Sequence, residues 1–303
     1  MATLRNCSSI TLFKKVIVVM MLASNAVGPK QEVVIRALGP LPGDDPRIVD
    51  LLRQSYLQPP SSLPYNLSTN PLYINGSKSY GWLNIKTHIE SLFGDQRNGF
   101  FIEAGALDGE YLSNTLWLEM DRGWNGLLIE PDENSYRKLL SKHRKTWSSN
   151  TCISMTSYPL ETIHVGLYLQ NKYNGNPWNY RGSSHIQGIS LGSQFEPFLS
   201  FSEKSYQIAQ CFPLISYLKA LNITTVDLLS LDLQGMEQQV LRAIPFNDLT
   251  IRVIIAELTT PDEEFHDFLT AKGFVLVNQD QIDFIYAKED DVLIKNHKDN
   301  FMS

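Results

Sequence analysis

The 303-residue chain is poor in cysteine, with three, and its body holds no cluster of lysine and arginine. With a net charge of -6 and a pI near 5.5 it lacks the basic face that a nucleic-acid partner requires, which leaves a small molecule or another protein as the expected partner. A mean hydropathy of -0.17 excludes a polytopic membrane protein. The six histidines, His88, His164 and His185 among them, show no ligand spacing with cysteine or acid, which argues against a metal site. Also missing are a G-x-S-x-G elbow, a Walker loop and a C-x-x-C pair, so hydrolase, nucleoside triphosphatase and thiol-redox chemistry have no foothold.

What is there begins with a targeting pattern over residues 1–26: Arg5, Lys14 and Lys15, an apolar run at 16–23, then Ser24, Asn25 and Ala26. The run is shorter than the about 20 residues of a membrane-spanning helix, which favours a cleaved signal peptide, with an uncleaved signal-anchor, and so membrane association, as the alternative. Three N-x-S/T sequons, at Asn66, Asn75 and Asn222, agree with export. So do Cys152 and Cys211, the even pair left once Cys7 goes with the leader; the expectation is a disulfide, the alternative two buried thiols.

Residues 27–78 are rich in proline and serine and read as a stem. Asp44-Asp45-Pro46 is a helix start within it, predicting a short helix at 47–56. From 79 to 289 helices and strands alternate: helix at 82–93, strand 99–104, helix 112–121, strand 125–130, helix 133–142, strands 151–154 and 162–169, and a loop over 171–192. Helix 214–221, strand 226–231, helix 236–243 and strand 251–257 follow, then strands 274–277 and 283–287 in a possible hairpin, with a polar tail at 290–303. Continuous apolar strands separated by helices predict an α/β fold, a parallel sheet covered on both faces.

The chemistry sits at strand ends. Phe101-Ile102-Glu103-Ala104-Gly105 closes an apolar strand on an acid and opens a turn whose glycines, Gly105 and Gly109, let backbone approach a ligand. The E-x-G-x-x-x-G spacing differs from that of nicotinamide enzymes, and an acid before the first glycine suits a ligand with a cationic amino group, such as S-adenosyl-L-methionine. An ordinary strand-to-helix turn is the bland alternative. Glu130, at the end of the next strand, is placed to accept from ribose hydroxyls.

A third segment, Leu231-Asp232-Leu233-Gln234-Gly235-Met236-Glu237, resembles the D-x-E-G-x-E turn of the FkbM-type methyltransferases, and the likeness extends to the Glu103 turn, Glu130-Pro131 and Glu257. Details around Cys152, Cys211 and Asp232 are most similar to the Star-like animal branch, associated with the secretory pathway and growth-factor trafficking. The resemblance implies a Rossmann-like methyltransferase fold, mostly parallel and seven-stranded with one antiparallel strand, helices on both faces. It implies that Glu103, Gly105 and Gly109 hold the methionine part of S-adenosyl-L-methionine, Glu130 the ribose, and that Cys152 and Ser154 lie near the adenine. Asp232, Glu237 and Glu257 would serve catalysis at an acceptor hydroxyl; a helix-start charge for Glu237 and a surface carboxylate for Glu257 are the structural alternatives. Gln234 stands where the family has Glu, and an amide can neither act as a base nor bind a cation by charge. Tyr80, Trp82, Trp178 and Tyr180 are candidates to line an acceptor pocket or the core.

Two functions follow: O-methyl transfer to a small-molecule or glycan hydroxyl, or a non-catalytic luminal protein that uses the same fold to carry protein cargo. A purely structural glycoprotein leaves Glu103, Gly105, Gly109 and Glu130 unexplained.

Overall fold

A computed structural model describes residues 38–68, 83–169, 181–189, 202–258 and 263–294. The leader, Asn75, Tyr80, Trp82, Trp178, Tyr180, most of the 171–192 loop and the tail beyond 294 lie outside the described residues.

The elements in chain order are α1 (Pro46–Ser55), β1 (Leu57–Gln58), α2 (Leu83–Phe93), β2 (Phe100–Ala104), α3 (Leu116–Arg122), β3 (Asn125–Ile129), α4 (Glu133–Ser141) and β4 (Trp147–Ser149). Next come β5 (Cys152–Ile153), β6 (Leu160–Leu169), β7 (His185–Ile186), β8 (Ser202–Phe212), α5 (Leu214–Leu221) and β9 (Thr225–Leu231). The described part ends with α6 (Glu237–Ala243), β10 (Thr250–Glu257), α7 (Glu263–Ala271), β11 (Phe274–Asp280) and β12 (Asp283–Lys288).

The main sheet runs β1-β4-β3-β2-β9-β10-β12-β11. It has eight strands and is mixed, which corrects the mostly parallel, seven-stranded expectation. The central pairings from β4 to β10 are parallel, while β12 lies antiparallel to both β10 and β11, and β1 antiparallel to β4. The eighth strand comes from the proline-rich segment, where Leu57 and Gln58 pair with Ser149 and Ser148. α1 ahead of it starts as predicted: the Asp45 carboxylate accepts from the Arg47 N–H and Pro46 needs no partner. It buries Ile48, Leu51 and Leu52, and Arg53 donates to the carbonyls of Ala220 and Lys219 at the end of α5, where a cation also meets the helix dipole. The part of the predicted stem that forms α1 and β1 is thus packed on the sheet.

Adjacent residues of the central strands point to opposite faces and fill two cores. Ile102, Leu229 and Ile254 pack with α1, α5, α6 and α7, while Phe101, Leu228 and Ile255 pack with α2, α3 and α4. This double burial is why those strands read as continuous apolar runs.

Three expectations need correction. The strand predicted at 151–154 is the two-residue Cys152–Ile153 of a second, four-stranded sheet, β5-β8-β6-β7, and the strand that joins the main sheet beside β3 is Trp147–Ser149 before it, which was not predicted. The helix predicted from 112 begins at Leu116, because Leu112 has a φ of 56° and Ser113 to Thr115 hydrogen-bond to Glu103. β8 was not foreseen at all. Its residues mix polar and apolar without a clean alternation, and Tyr206 and Ile208 face solvent, so pairing with β6 and β5 defines it.

Cys152 and Cys211 are bonded, as expected, at directly paired positions of β5 and β8. They close a loop across a sequence separation of 59 residues. In the chain-entropy account such a closure stabilises by about 4 kcal/mol. Cys211→Ser is therefore expected to lower the unfolding free energy by about that amount in reversible urea unfolding, and reduction of the native protein should do the same.

Candidate functional site

Moving outward from β2, the chain visits β3 then β4 on one side and β9 then β10 on the other, so the winding reverses between β2 and β9. Ligands of open α/β sheets bind outside the carboxyl ends of the strands at such a switch point. Glu103 and Ser230 face each other across it in register.

The turn after β2 is tied to both neighbours. Gly105 and Ala106 donate to the Ile129 carbonyl at 3.0 and 3.1 Å, and Asp232 donates its N–H to Ala104 at 3.0 Å. Gly105 has a φ of +85°, and a Cβ there would lie 1.9 Å from the Asp232 carbonyl oxygen. At Gly109, φ +74°, a Cβ would stand 3.0 Å from Leu139. The glycines expected to admit a ligand thus first admit other parts of the protein. Gly105 lets the turn press against the chain leaving β9.

Glu103 is buried and its carboxylate is well supplied with donors. Oε2 accepts from Ser113 Oγ at 2.8 Å and Thr115 Oγ1 at 2.5 Å, and Oε1 from the Asn114 N–H at 2.8 Å. The carboxylate organises the entry to α3 and holds Asn114 at the crevice. The Asn114 amide donates to Ser230 Oγ at 3.2 Å, and its Oδ1 is buried with no hydrogen-bond partner among the described residues. Nothing in the sequence flagged Asn114; the Ser113-Asn114-Thr115 run is rich in helix-capping types, and that was its only signal.

Glu130 is also buried, beyond β3. It accepts from the Leu107 N–H and the Asp132 N–H, both at 2.8 Å, and so joins the Glu103 turn to the start of α4. Burial pushes it up to about 8, against the pull of those two N–H groups. Asp132 caps α4 through the Ser135 N–H and pairs with Arg181, which lies over the Tyr168 ring. Burial opposes the ionised form of Asp132, but Arg181 and the Ser135 N–H outweigh it and lower its pKa.

Beyond β9 and β10 lie the remaining acids. Glu237 is buried and accepts from Leu233 N at 2.5 Å and Gly235 N at 3.0 Å, closing its own turn. Burial raises it to about 8. Asp232 is exposed, and its pKa is raised, first by the protein crowding it and then by Asp283 and Glu103. Gln234 Nε2 donates to Asp232 Oδ1 at 2.6 Å. Glu257 is half-buried and raised by burial, then by Asp232, Asp283 and Glu237. Asp283, unseen in the sequence, is its register partner on β12.

Cys152 and Ser154 lie apart from this row, in and just after β5. The Cys152 sulfur is bonded to Cys211, and Ser154 Oγ donates to the Tyr158 carbonyl at 3.0 Å within a local turn. Both side chains are committed to structure. Among the described residues no group of His, Cys, Asp and Glu is arranged to hold a metal ion.

Gly105→Ala combines a left-handed φ with a backbone collision and is expected to yield protein without a cooperative thermal transition. Glu130 and Glu237 have folded pKa values near 8, above the ordinary 4.5, so their contribution to stability is full below about 4.5 and is lost as pH rises through 8. Buried His164 is depressed to about 4, so it acts only below the ordinary histidine value of 6.5. The melting temperature of the ligand-free protein should therefore fall between about pH 6.5 and 8.5, and Glu130→Gln should flatten that fall.

The family model described as the Methyltransferase FkbM domain matches residues 103–279, from the Glu103 turn through β9 and β10 into β11. No curated protein matches the sequence. The match spans more than half of the chain and contains the whole switch-point crevice. The chain belongs to the FkbM methyltransferase family.

Proposed function

We propose that this protein binds S-adenosyl-L-methionine in the crevice between β2 and β9 and transfers its methyl group to a hydroxyl of a small-molecule or glycan acceptor. The observation that carries the reading is the set of acceptors around the crevice. Asn114 Oδ1 is buried without a hydrogen-bond partner among the described residues, and the Asp232 carboxylate stands two residues beyond Ser230, to which the Asn114 amide donates. Such a set fits a ligand that carries positive charge and N–H donors, and the amino acid end of this cofactor carries an ammonium next to a sulfonium. Glu130 at the neighbouring strand end suits the ribose hydroxyls.

When bound, the cofactor supplies an electrophilic methyl group. The protein's part is to align the acceptor oxygen and take its proton. Asp232 is the residue for that step: solvent-touched, at the crevice, and with a raised pKa that makes its carboxylate a better base than an ordinary aspartate. Glu237 is spent on its turn and acts as a positioning residue. Gln234 need not be a base here, since its amide already steadies the Asp232 carboxylate.

The Star-like branch and the secretory pathway complete the reading. The Cys152–Cys211 bond supports an oxidising compartment, and the sequon residues Asn66 and Asn222 are both exposed. Among the described residues no helix is long and apolar enough to cross a membrane. One observation favours the second reading, a non-catalytic carrier of protein cargo: Ile163, Tyr206 and Ile208 stand together on the second sheet at 42%, 64% and 74% exposure.

Isothermal titration of S-adenosylhomocysteine separates the two. Binding in the micromolar range, weakened about 10- to 100-fold by Asp232→Ala, which removes a carboxylate at the crevice, and by Glu130→Ala, which releases the Leu107 and Asp132 N–H groups that set the turn after β2, is the expected result. No heat with the folded wild-type protein leaves the cargo reading alone.

A further inference from the structure

The acids at the rim are treated differently from those elsewhere in the fold. Several buried or half-buried carboxylates have cations, Glu119 with Arg144, Glu110 with Lys142, Asp132 with Arg181 and Asp227 with Arg252, and buried Glu103, Glu130 and Glu237 are instead held by N–H donors of neighbouring turns. Asp232, Glu257 and Asp283 have no ion pair among the described residues. Asp232 directly follows β9, Glu257 ends β10 and Asp283 begins β12, three neighbouring strands of the sheet. With strands about 4.8 Å apart, the row extends about 10 Å away from the β2–β9 crevice. A cofactor seated in that crevice meets Asp232, and the outer two acids lie beyond it.

Gln234 points to what the row is for. It is 5% exposed, its Nε2 is spent on Asp232, it also acts on Glu257 as a donor, and its Oε1 has no partner among the described residues. The amide therefore sits among the carboxylates with an unused acceptor. What this end of the site offers is three carboxyl groups and a carbonyl oxygen, with no cation to answer them. A divalent metal would answer the charge, but these groups are not arranged to hold one. A compact organic cation with several N–H donors fits: an ammonium presents three donors on one positive centre.

We propose that the acceptor carries an ammonium group, held between Glu257 and Asp283, which brings a neighbouring hydroxyl of the same molecule to Asp232. The substrate class is thus an amino alcohol or amino sugar with a free amine. This rests on the reading of the β2–β9 crevice as the cofactor site, and it goes further by assigning the strand ends next to it. Burial raises both Glu257 and Asp283, with repulsion from Asp232, Asp283 and Glu237 added at Glu257 and from Asp280 at Asp283, and an ammonium between the two would offset that cost.

The test is saturation-transfer NMR on the full chain with glucosamine, glucose and N-acetylglucosamine as probes, each with and without S-adenosylhomocysteine. Glucosamine is expected to bind at least 10-fold more tightly than its two uncharged relatives. Asp283→Asn and, separately, Glu257→Gln should abolish that preference while Asp283→Asn leaves the affinity for S-adenosylhomocysteine unchanged. Equal binding of the three sugars in both conditions, or a preference for the amine that survives Asp283→Asn in a folded variant, overturns the proposal. Failure of S-adenosylhomocysteine to bind sinks the cofactor reading instead, and the comparison of the sugars in its absence still decides whether the row selects an amine.

Discussion

The chain leaving β2 and the chain leaving β9 run in contact at Gly105, whose absent side chain leaves room for the Asp232 carbonyl. Any Cβ would have to occupy that oxygen's place. Because the contact sits where the winding of the sheet reverses, it sets the shape of the crevice mouth and the positions of the groups around it. Glu103 reaches one way to fix Asn114, and Leu107 reaches the other way to fix Glu130. Asp232 is held by its own main chain to Ala104. The turn is therefore first a piece of architecture, and whatever ligand it serves inherits its geometry from that packing.

Much of this could be read from residue order. Apolar strands buried on both faces announce themselves as runs, and the acid-glycine turn, Glu130 and the Asp232 segment stand at their ends. What could not be read was pairing. Leu57–Gln58 and Trp147–Ser149 become strands because of their neighbours, and β8 carries Tyr206 and Ile208 on a solvent face that spoils its alternation. Asp283 joins the site only because β12 runs antiparallel to β10, a relation that spacing along the chain does not encode.

Roles were less legible than positions. The sequence made Glu103 a ligand for the cofactor, whereas its oxygens already accept from Ser113, Asn114 and Thr115. Glu237 closes a turn, and Cys152 and Ser154 are absorbed by a disulfide and a local hydrogen bond. The resemblance to a family motif cannot say whether a conserved type is spent on the fold or left for chemistry, because that depends on which donors lie within about 3 Å. By that criterion Asn114, Asp232 and Gln234 are the groups with something left to give, and Gln234, a departure from the motif, is the donor that steadies Asp232.

Hydrogen-exchange mass spectrometry with and without S-adenosylhomocysteine shows whether the cofactor sits between the Gly105 turn and the chain leaving β9. Slower exchange is expected in two separate stretches, 105–114 and 230–235, with the second sheet unchanged. Protection confined to other parts of the molecule, or none at saturating ligand, contradicts that placement.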